Sequence, residues 1–270
     1  PLIITRYFTI SYRVIIKGGY ELIFSYPPLM ITRYDIVTYR VIIKGGYEHM
    51  SSSNALDGVF TVAGVRPARD GMTISRDTKL GKENVITFFA LGAGTSISQE
   101  RYDTTSVYIG AEGDASFITG EDAARQSFTD GDMLIVPGGT LCGVDSESGA
   151  VYTEIIIKKE ITMNNLVKAG EVMKLKDLIQ YEDGSISNLD VASNPSMKFV
   201  LMAFDAGTGL TPHRAPGNAI IFALEGKATI GYEGKDYVIN AGENFRFEKN
   251  GLHSVTADEK FKMALLLVIE

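Results

Sequence analysis

The chain has 270 residues, of which 45% are hydrophobic and 22% are charged, so it can build ordinary folded cores. Its formal net charge is −7, and an acidic surface repels nucleic-acid phosphates and anionic lipid. The longest apolar run near the end, Met263–Ile269, is far shorter than the ~20 residues that span a bilayer. The composition therefore predicts no nucleic-acid partner and no membrane partner.

The single cysteine, Cys142, excludes an intrachain disulfide framework and a cysteine cluster for zinc. A secretory signal peptide of ordinary form is not evident. We therefore expect a cytoplasmic protein. A length of 270 residues predicts about two domains.

The first segment contains a near-duplicate with a period of 27 residues. Its two copies are Pro1–Glu21 (PLIITRYFTISYRVIIKGGYE) and Pro28–Glu48 (PLMITRYDIVTYRVIIKGGYE), and His49-Met50 follows at once, as at a cloning junction. We interpret residues 1–55 as a vector-derived or engineered leader and exclude them from functional reasoning. The alternative is a native β-rich extension.

From Leu56 onward, short apolar runs recur between Gly, Asp and Asn. Examples are Val85–Leu91, Val151–Ile157, Phe199–Phe204 and Met263–Ile269. These runs are too short for ordinary helices and too frequent for βαβ units. They predict an all-β antiparallel sandwich or barrel.

Turn signals and one polar stretch divide this β-rich part. Thr119-Gly120-Glu121-Asp122 and Glu233-Gly234-Lys235 are typical of hairpin loops. The polar stretch Lys158–Asn165 predicts a boundary between domains at 56–160 and 163–270. Lys168–Ile179 predicts a short helix or a strand at the start of the second domain.

The two predicted domains also align with each other. Ala93–Glu100 aligns with Ala206–His213, and the alignment continues without a gap to Gly113 and Gly226. Further along the chain, Gly131 aligns with Gly242, and Cys142 then aligns with His253. A repeat that preserves its glycines indicates one fold used twice.

Two motifs of the second domain resemble those of the cupin superfamily. They are Thr208–Gly226 (TGLTPHRAPGNAIIFALEG) and Gly242–His253 (GENFRFEKNGLH), which follow the family's glycine and histidine spacing. In the first domain, Gly131–Gly139 (GDMLIVPGG) fits part of the second motif. The resemblance implies two tandem cupin barrels, each a double-stranded β-helix or jelly roll, and the second resembles small single-domain cupins.

The family's metal ligands, three histidines and one glutamate, are only partly present in the second domain. His213 and His253 occupy two of the histidine positions. Ala215 holds the remaining histidine position, and Ala219 holds the glutamate position, with Asn218 beside it. The resemblance therefore makes His213 and His253 the candidate metal ligands. Binding of an organic ligand, acid–base work and a structural role remain alternatives for both.

In the first domain, the equivalent positions hold Glu100, Tyr102, Ser106 and Cys142. None is the family's usual ligand, so we interpret Glu100, Tyr102 and Cys142 as a degenerate site. Tyr108 is interpreted as strand packing. Cys142 is more typical of a small buried side chain than of a reactive thiol.

The predicted function is small-molecule binding, with a pocket in the second barrel formed by His213, Asn218, Phe222, His253 and Met263. One divalent transition metal (Zn, Mn, Fe or Ni) is the predicted cofactor. The first alternative is a metal-dependent dioxygenase, isomerase or lyase using His213 and His253. The second is a catalytically inert structural or interaction protein. Both a homodimer and pairing of the barrels within the chain are compatible with the fold.

Overall fold

The computed structural model describes residues 11–16, 20–25, 56 and 58–269. The chain divides into two compact units, Pro1–Ser53 and Asn54–Glu270. In the first unit, β1 (Ser11–Ile16) and β2 (Tyr20–Ser25) form an antiparallel hairpin. The second repeat copy and the His49-Met50 junction lie outside the described residues, and the vector-derived origin of the leader stays a prediction.

The second unit is built almost entirely from strands. Those up to the predicted boundary are β3 (Val59–Phe60), β4 (Thr73–Asp77), β5 (Asn84–Leu91), β6 (Thr95–Arg101), β7 (Thr105–Gly113), β8 (Ala115–Thr119), β9 (Ala124–Phe128), β10 (Asp132–Val136), β11 (Leu141–Ser146) and β12 (Ala150–Ile157). Those that follow are β13 (Thr162–Met163), β14 (Met173–Lys174), β15 (Ile186–Asn194), β16 (Met197–Phe204), β17 (Gly209–Arg214), β18 (Asn218–Glu225), β19 (Lys227–Tyr232), β20 (Lys235–Asn240), β21 (Asn244–Phe247), β22 (Leu252–Ala257) and β23 (Phe261–Val268). Helical structure in the described residues comprises α1 (Val62–Val65) and a 3₁₀ turn at Leu175–Asp177. No described helix has the length and apolar character needed to cross a bilayer.

The strands form two barrels, each made of a large and a small antiparallel sheet. In the first barrel, the strand orders are β14-β10-β7-β12-β5-β4 and β6-β11-β8-β9. In the second barrel, they are β13-β15-β16-β23-β18-β21-β3 and β17-β22-β19-β20. The predicted all-β fold of two tandem barrels is confirmed.

Successive side chains along a strand point alternately into the interior of one barrel and into a core that both barrels share. On β18, Ala219, Ile221 and Ala223 join the core inside the second barrel. Ile220 and Phe222, on the opposite face, join the shared core with residues of the first barrel. This period of two is the ordinary geometry of a strand that is covered on both faces.

Two short strands each pair with the barrel on the other side of the predicted domain boundary. β3 precedes the first barrel but pairs with β21, and β14 follows the boundary but pairs with β10. Lys174 of β14 also forms an ion pair with Asp132, at 2.8 Å. These exchanges and the shared core hold the two barrels together within one chain. The segment Lys168–Ile179, predicted as a short helix or a strand at the start of the second domain, contains the 3₁₀ turn and β14, and β14 joins the sheet of the first barrel.

Both predicted hairpin loops are confirmed. Glu233 and Gly234 join β19 to β20, with φ angles of 48° and 79°. Positive φ at both central positions is typical of the type I′ turns that match the twist of paired strands. Gly120, with φ of 76°, lies in the loop between β8 and β9.

Candidate functional site

Two histidines lie side by side on neighbouring strands of the small sheet of the second barrel. His213 on β17 is the direct cross-strand partner of His253 on β22, and their ring centroids are 4.3 Å apart. His213 is exposed, whereas His253 is buried and stacks on Phe247, with ring centroids 4.2 Å apart. The sequence-predicted pair is therefore adjacent in space.

Backbone carbonyls orient both imidazole rings. Nδ1 of His213 lies 2.8 Å from the Thr211 oxygen, and Nδ1 of His253 lies 2.9 Å from the Gly251 oxygen. A neutral ring that donates its Nδ1–H to a carbonyl keeps a lone pair on Nε2, which suits metal binding. Burial lowers the pKa of His253; the bond to Gly251 opposes this effect, and the neighbouring His213 adds to it.

The donor set around this pair does not fit a metal centre with three or four protein ligands. In the described part of the chain, no three His, Cys, Asp or Glu side chains are grouped to hold a metal ion. Ala215 and Ala219 have no donor atom. The Asn218 amide donates to the Leu80 carbonyl at 3.1 Å, and its oxygen accepts from the Lys249 amide at 2.9 Å. Asn218 thus already bonds backbone groups on both sides.

The two remaining residues of the predicted second-barrel pocket lie on different faces. Met263 is buried inside the second barrel, whereas Phe222 belongs to the core shared with the first barrel. Phe245 and Phe247, with ring centroids 5.0 Å apart, pack in the interior beside His253. The structure therefore brings the histidines together over an interior that is occupied by aromatic side chains.

The first barrel contains a cavity of about 200 Å³. Tyr102 and Cys142 of the predicted degenerate site line it. Glu100 is the cross-strand partner of Cys142, just as His213 is the partner of His253, which supports the alignment of the two domains. The hydroxyl of Tyr102, half-exposed at the rim, donates to the Glu100 carboxylate at 2.5 Å.

Further polar side chains converge on this cavity. None of them was predicted from the sequence to belong to a site. Glu154 on β12 is the cross-strand partner of Tyr108 on β7, and Tyr152 lies two residues earlier on the same face. Tyr108, interpreted from sequence as strand packing, does pack in the core but also lines the cavity. The available signal was Glu154 itself, the lone charged residue within Val151–Ile157.

The electrostatics of the cavity are dominated by burial. Burial raises the pKa of Glu154, against the opposing hydrogen bond with Tyr108. Burial also raises the pKa of Cys142 to about 11, and the hydrogen bond to Glu100 raises the pKa of Tyr102 to about 12. The thiol and this phenol are therefore uncharged at neutral pH, which leaves Glu154 as the ionisable centre of the cavity.

The second barrel has apolar residues at the positions equivalent to Glu154 and Tyr108. Glu154 and Tyr108 are cross-strand partners, and the equivalent partners in the second barrel are Leu265 and Ile221. A barrel of this chain therefore closes its core without a carboxyl or a phenol at these positions. The polar pair in the first barrel is not required by the fold.

Comparison with known proteins identifies the fold. Residues 200–269 match the family described as Cupin domain. The matched residues lie within the second barrel. Across both barrels, the chain is similar to the Cupin 2 conserved barrel domain protein from Leptotrichia buccalis, with a TM-score of 0.70 and 21% identity over 79% of this chain and 97% of that chain. The comparison with curated proteins found no match.

A second group of similar structures is enzymatic. Salicylate 1,2-dioxygenase from Pseudaminobacter salicylatoxidans has a TM-score of 0.51 and 13% identity over 69% of this chain and 71% of that chain. Its adduct with gentisate has a TM-score of 0.53 and 13% identity over 80% of this chain and 74% of that chain. At these identities, the likeness establishes the two-barrel cupin fold alone.

Proposed function

We propose that the protein is a cupin-type small-molecule binding protein and that its first barrel holds the ligand. The observation that carries this proposal is the cavity of about 200 Å³ in which Tyr108, Cys142 and Glu154 meet apolar walls. A concave, mostly apolar site with a few convergent polar groups is the usual form of a small-ligand pocket. The volume suits a ligand of roughly ten or fewer non-hydrogen atoms.

The chemistry of the cavity supports binding more than catalysis. A nucleophilic cysteine needs a lowered pKa, whereas the pKa of Cys142 is raised to about 11. The fold is shared with a dioxygenase, but one fold hosts many functions, and the donor set beside His213 and His253 falls short of a catalytic metal site. A cytoplasmic location, a homodimer and the lack of nucleic-acid and membrane partners stay predictions.

A cavity-filling variant tests the ligand site. Ser106 is buried and lines the cavity, so Ser106→Phe places a ring in the space that a ligand would occupy. The matched control is Ser127→Phe, at an exposed serine on β9 of the same barrel. We expect fragments of a small-molecule library to bind the wild type and the control, and to bind Ser106→Phe at least about tenfold more weakly. Equal binding by all three proteins, each checked for folding by circular dichroism, would place the ligand elsewhere.

We propose a second, weaker function for the histidine pair, the binding of one divalent transition metal ion (Zn, Mn, Fe or Ni). It is favoured by the two carbonyl bonds, which hold both Nδ1 atoms and leave both Nε2 atoms available. Titration with Ni²⁺ should show weak binding that His253→Ala abolishes. Ala215→His, which supplies the missing third imidazole, should strengthen binding at least about tenfold. Binding that neither substitution changes would refute this assignment.

A further inference from the structure

Every ionisable side chain that lines the first-barrel cavity is an acid. These side chains are Tyr102, Tyr108, Cys142, Tyr152 and Glu154. Within the described residues, no Lys, Arg or His lines the cavity. An anionic ligand would lose its hydration there without gaining a counter-charge, which is strongly unfavourable.

Aromatic rings form much of the cavity wall. The ring centroids of Tyr108 and Phe117 are 4.6 Å apart, and that of Tyr152 lies 5.9 Å from Tyr108 and 5.8 Å from Phe117. Phe89 stacks on Tyr152 at 5.4 Å. The faces of aromatic rings attract cations, and the attraction grows when the site is desolvated.

Glu154 places a carboxyl beside these rings without a cationic partner. Tyr108 is its cross-strand partner and lines the same cavity, and among the described residues no Lys, Arg or His forms an ion pair with Glu154. A partly buried carboxylate without a cationic partner is costly unless a ligand supplies the positive charge. The second barrel has Leu265 at the position of Glu154 and Met263 at that of Tyr152, so packing alone does not require the acid.

We propose that the first-barrel cavity binds a small organic cation, a protonated amine on an apolar or aromatic body. Glu154 is the counter-ion, and the rings of Tyr108 and Tyr152 contact the ammonium group. This inference rests on the proposed function, because it takes the cavity as the ligand site. It excludes carboxylate ligands such as the gentisate held by the structurally similar dioxygenase.

The sign of the pH dependence follows from the groups that face Glu154. They are Tyr108 on β7, Cys142 on β11, Tyr152 on the same strand and Tyr102 at the rim, and burial or hydrogen bonding raises the pKa of each. These groups stay neutral, so an ammonium ligand needs the carboxylate of Glu154. Binding of the cation therefore favours the ionised form of Glu154, and affinity rises with pH over the range in which this carboxyl titrates. A neutral ligand that accepts a hydrogen bond from protonated Glu154 would show the opposite trend.

Three probes of one shape and different charge test the inference: benzylamine, benzyl alcohol and benzoate. Isothermal titration calorimetry on the full chain compares the wild type with Glu154→Gln, which keeps the shape and removes the charge. Glu112→Gln, at an exposed position of the same barrel, is the control. We expect benzylamine to bind tightest, to bind more tightly as pH rises, and to lose about tenfold or more in Glu154→Gln but not in the control.

The outcomes separate the ligand class from the site. If benzyl alcohol or benzoate binds as tightly as benzylamine and Ser106→Phe abolishes that binding, the cavity is the ligand site but the cation assignment is wrong. The same holds if Glu154→Gln leaves benzylamine binding unchanged while Ser106→Phe abolishes it. If no probe binds, or if Ser106→Phe binds all probes like the wild type, the proposed ligand site itself is wrong.

Discussion

Removing the Tyr108 hydroxyl tests the hydrogen-bond network of the first-barrel cavity. Tyr108 is 6% exposed, and its hydroxyl interacts electrostatically with the carboxyl of Glu154, its cross-strand partner, and lowers the pKa of that carboxyl. Tyr108→Phe keeps the ring that packs on Phe117, so the loss is confined to the interactions of the hydroxyl. A hydrogen bond between neutral groups contributes about 0.5–1.5 kcal/mol net, and one to a charged group about 1.5–3 kcal/mol. The variant should therefore lose about 1 kcal/mol where Glu154 is protonated and about 2–3 kcal/mol where it is ionised.

Urea denaturation near pH 5 and near pH 8 measures this difference in the free energy of unfolding. The bond from Tyr108 lowers the pKa of Glu154, so the variant raises that pKa and favours the protonated acid. The loss should consequently grow as pH rises. Tyr237→Phe, whose ring packs on Phe245 in the second barrel at 5.1 Å, is the control. A loss that is equal at both pH values, or no loss, would refute the hydrogen bond to Glu154.

Two further predictions use groups whose pKa is shifted by burial. The pKa of Cys142 is raised to about 11. Its thiol should therefore react with iodoacetamide at neutral pH at least about tenfold more slowly in the native protein than in the unfolded chain. Equal reaction rates, measured by mass spectrometry, would contradict this. Because the pKa of His253 is lowered, protonation of this ring is disfavoured in the folded state. The free energy of unfolding should therefore decrease as the pH drops below about 6.5. His253→Asn, which retains a donor for the Gly251 carbonyl, should weaken that acid dependence in urea denaturation; an unchanged profile would count against it.

The fold and the histidine pair could be predicted from sequence because both depend on spacing. Apolar runs between glycine turns define strands too short to be helices, and their number leaves few arrangements other than barrels. The matched spacing of Gly131 with Cys142 and of Gly242 with His253 predicted equivalent strands. The structure has Cys142 opposite Glu100 and His253 opposite His213, so the resemblance to the cupin motifs, together with the alignment of the two domains, identified both pairs.

The acid in the cavity could not be located by the same reasoning. β12 lies between two neighbouring strands and is covered on both faces, so Val151–Ile157 reads as a near-continuous apolar run. Without alternation, the sequence does not tell which side chains point into the barrel and which into the shared core. The direction of Glu154 depends on its pairing with Tyr108, which is a tertiary contact.

The position of the cavity depends on side-chain volume, which motif spacing does not encode. Phe247 lies five residues after Gly242, and Val136 lies five residues after Gly131 at the equivalent place in the first barrel. Phe247 packs against His253, whereas the equivalent Val136 is smaller and is buried in the core that also contains cavity-lining residues such as Tyr108 and Tyr152. The barrel that kept the family's histidines is therefore the one with a filled interior beside them. The barrel that lost them has room for a ligand, and its ligand would be selected by Glu154 and the surrounding rings rather than by a metal.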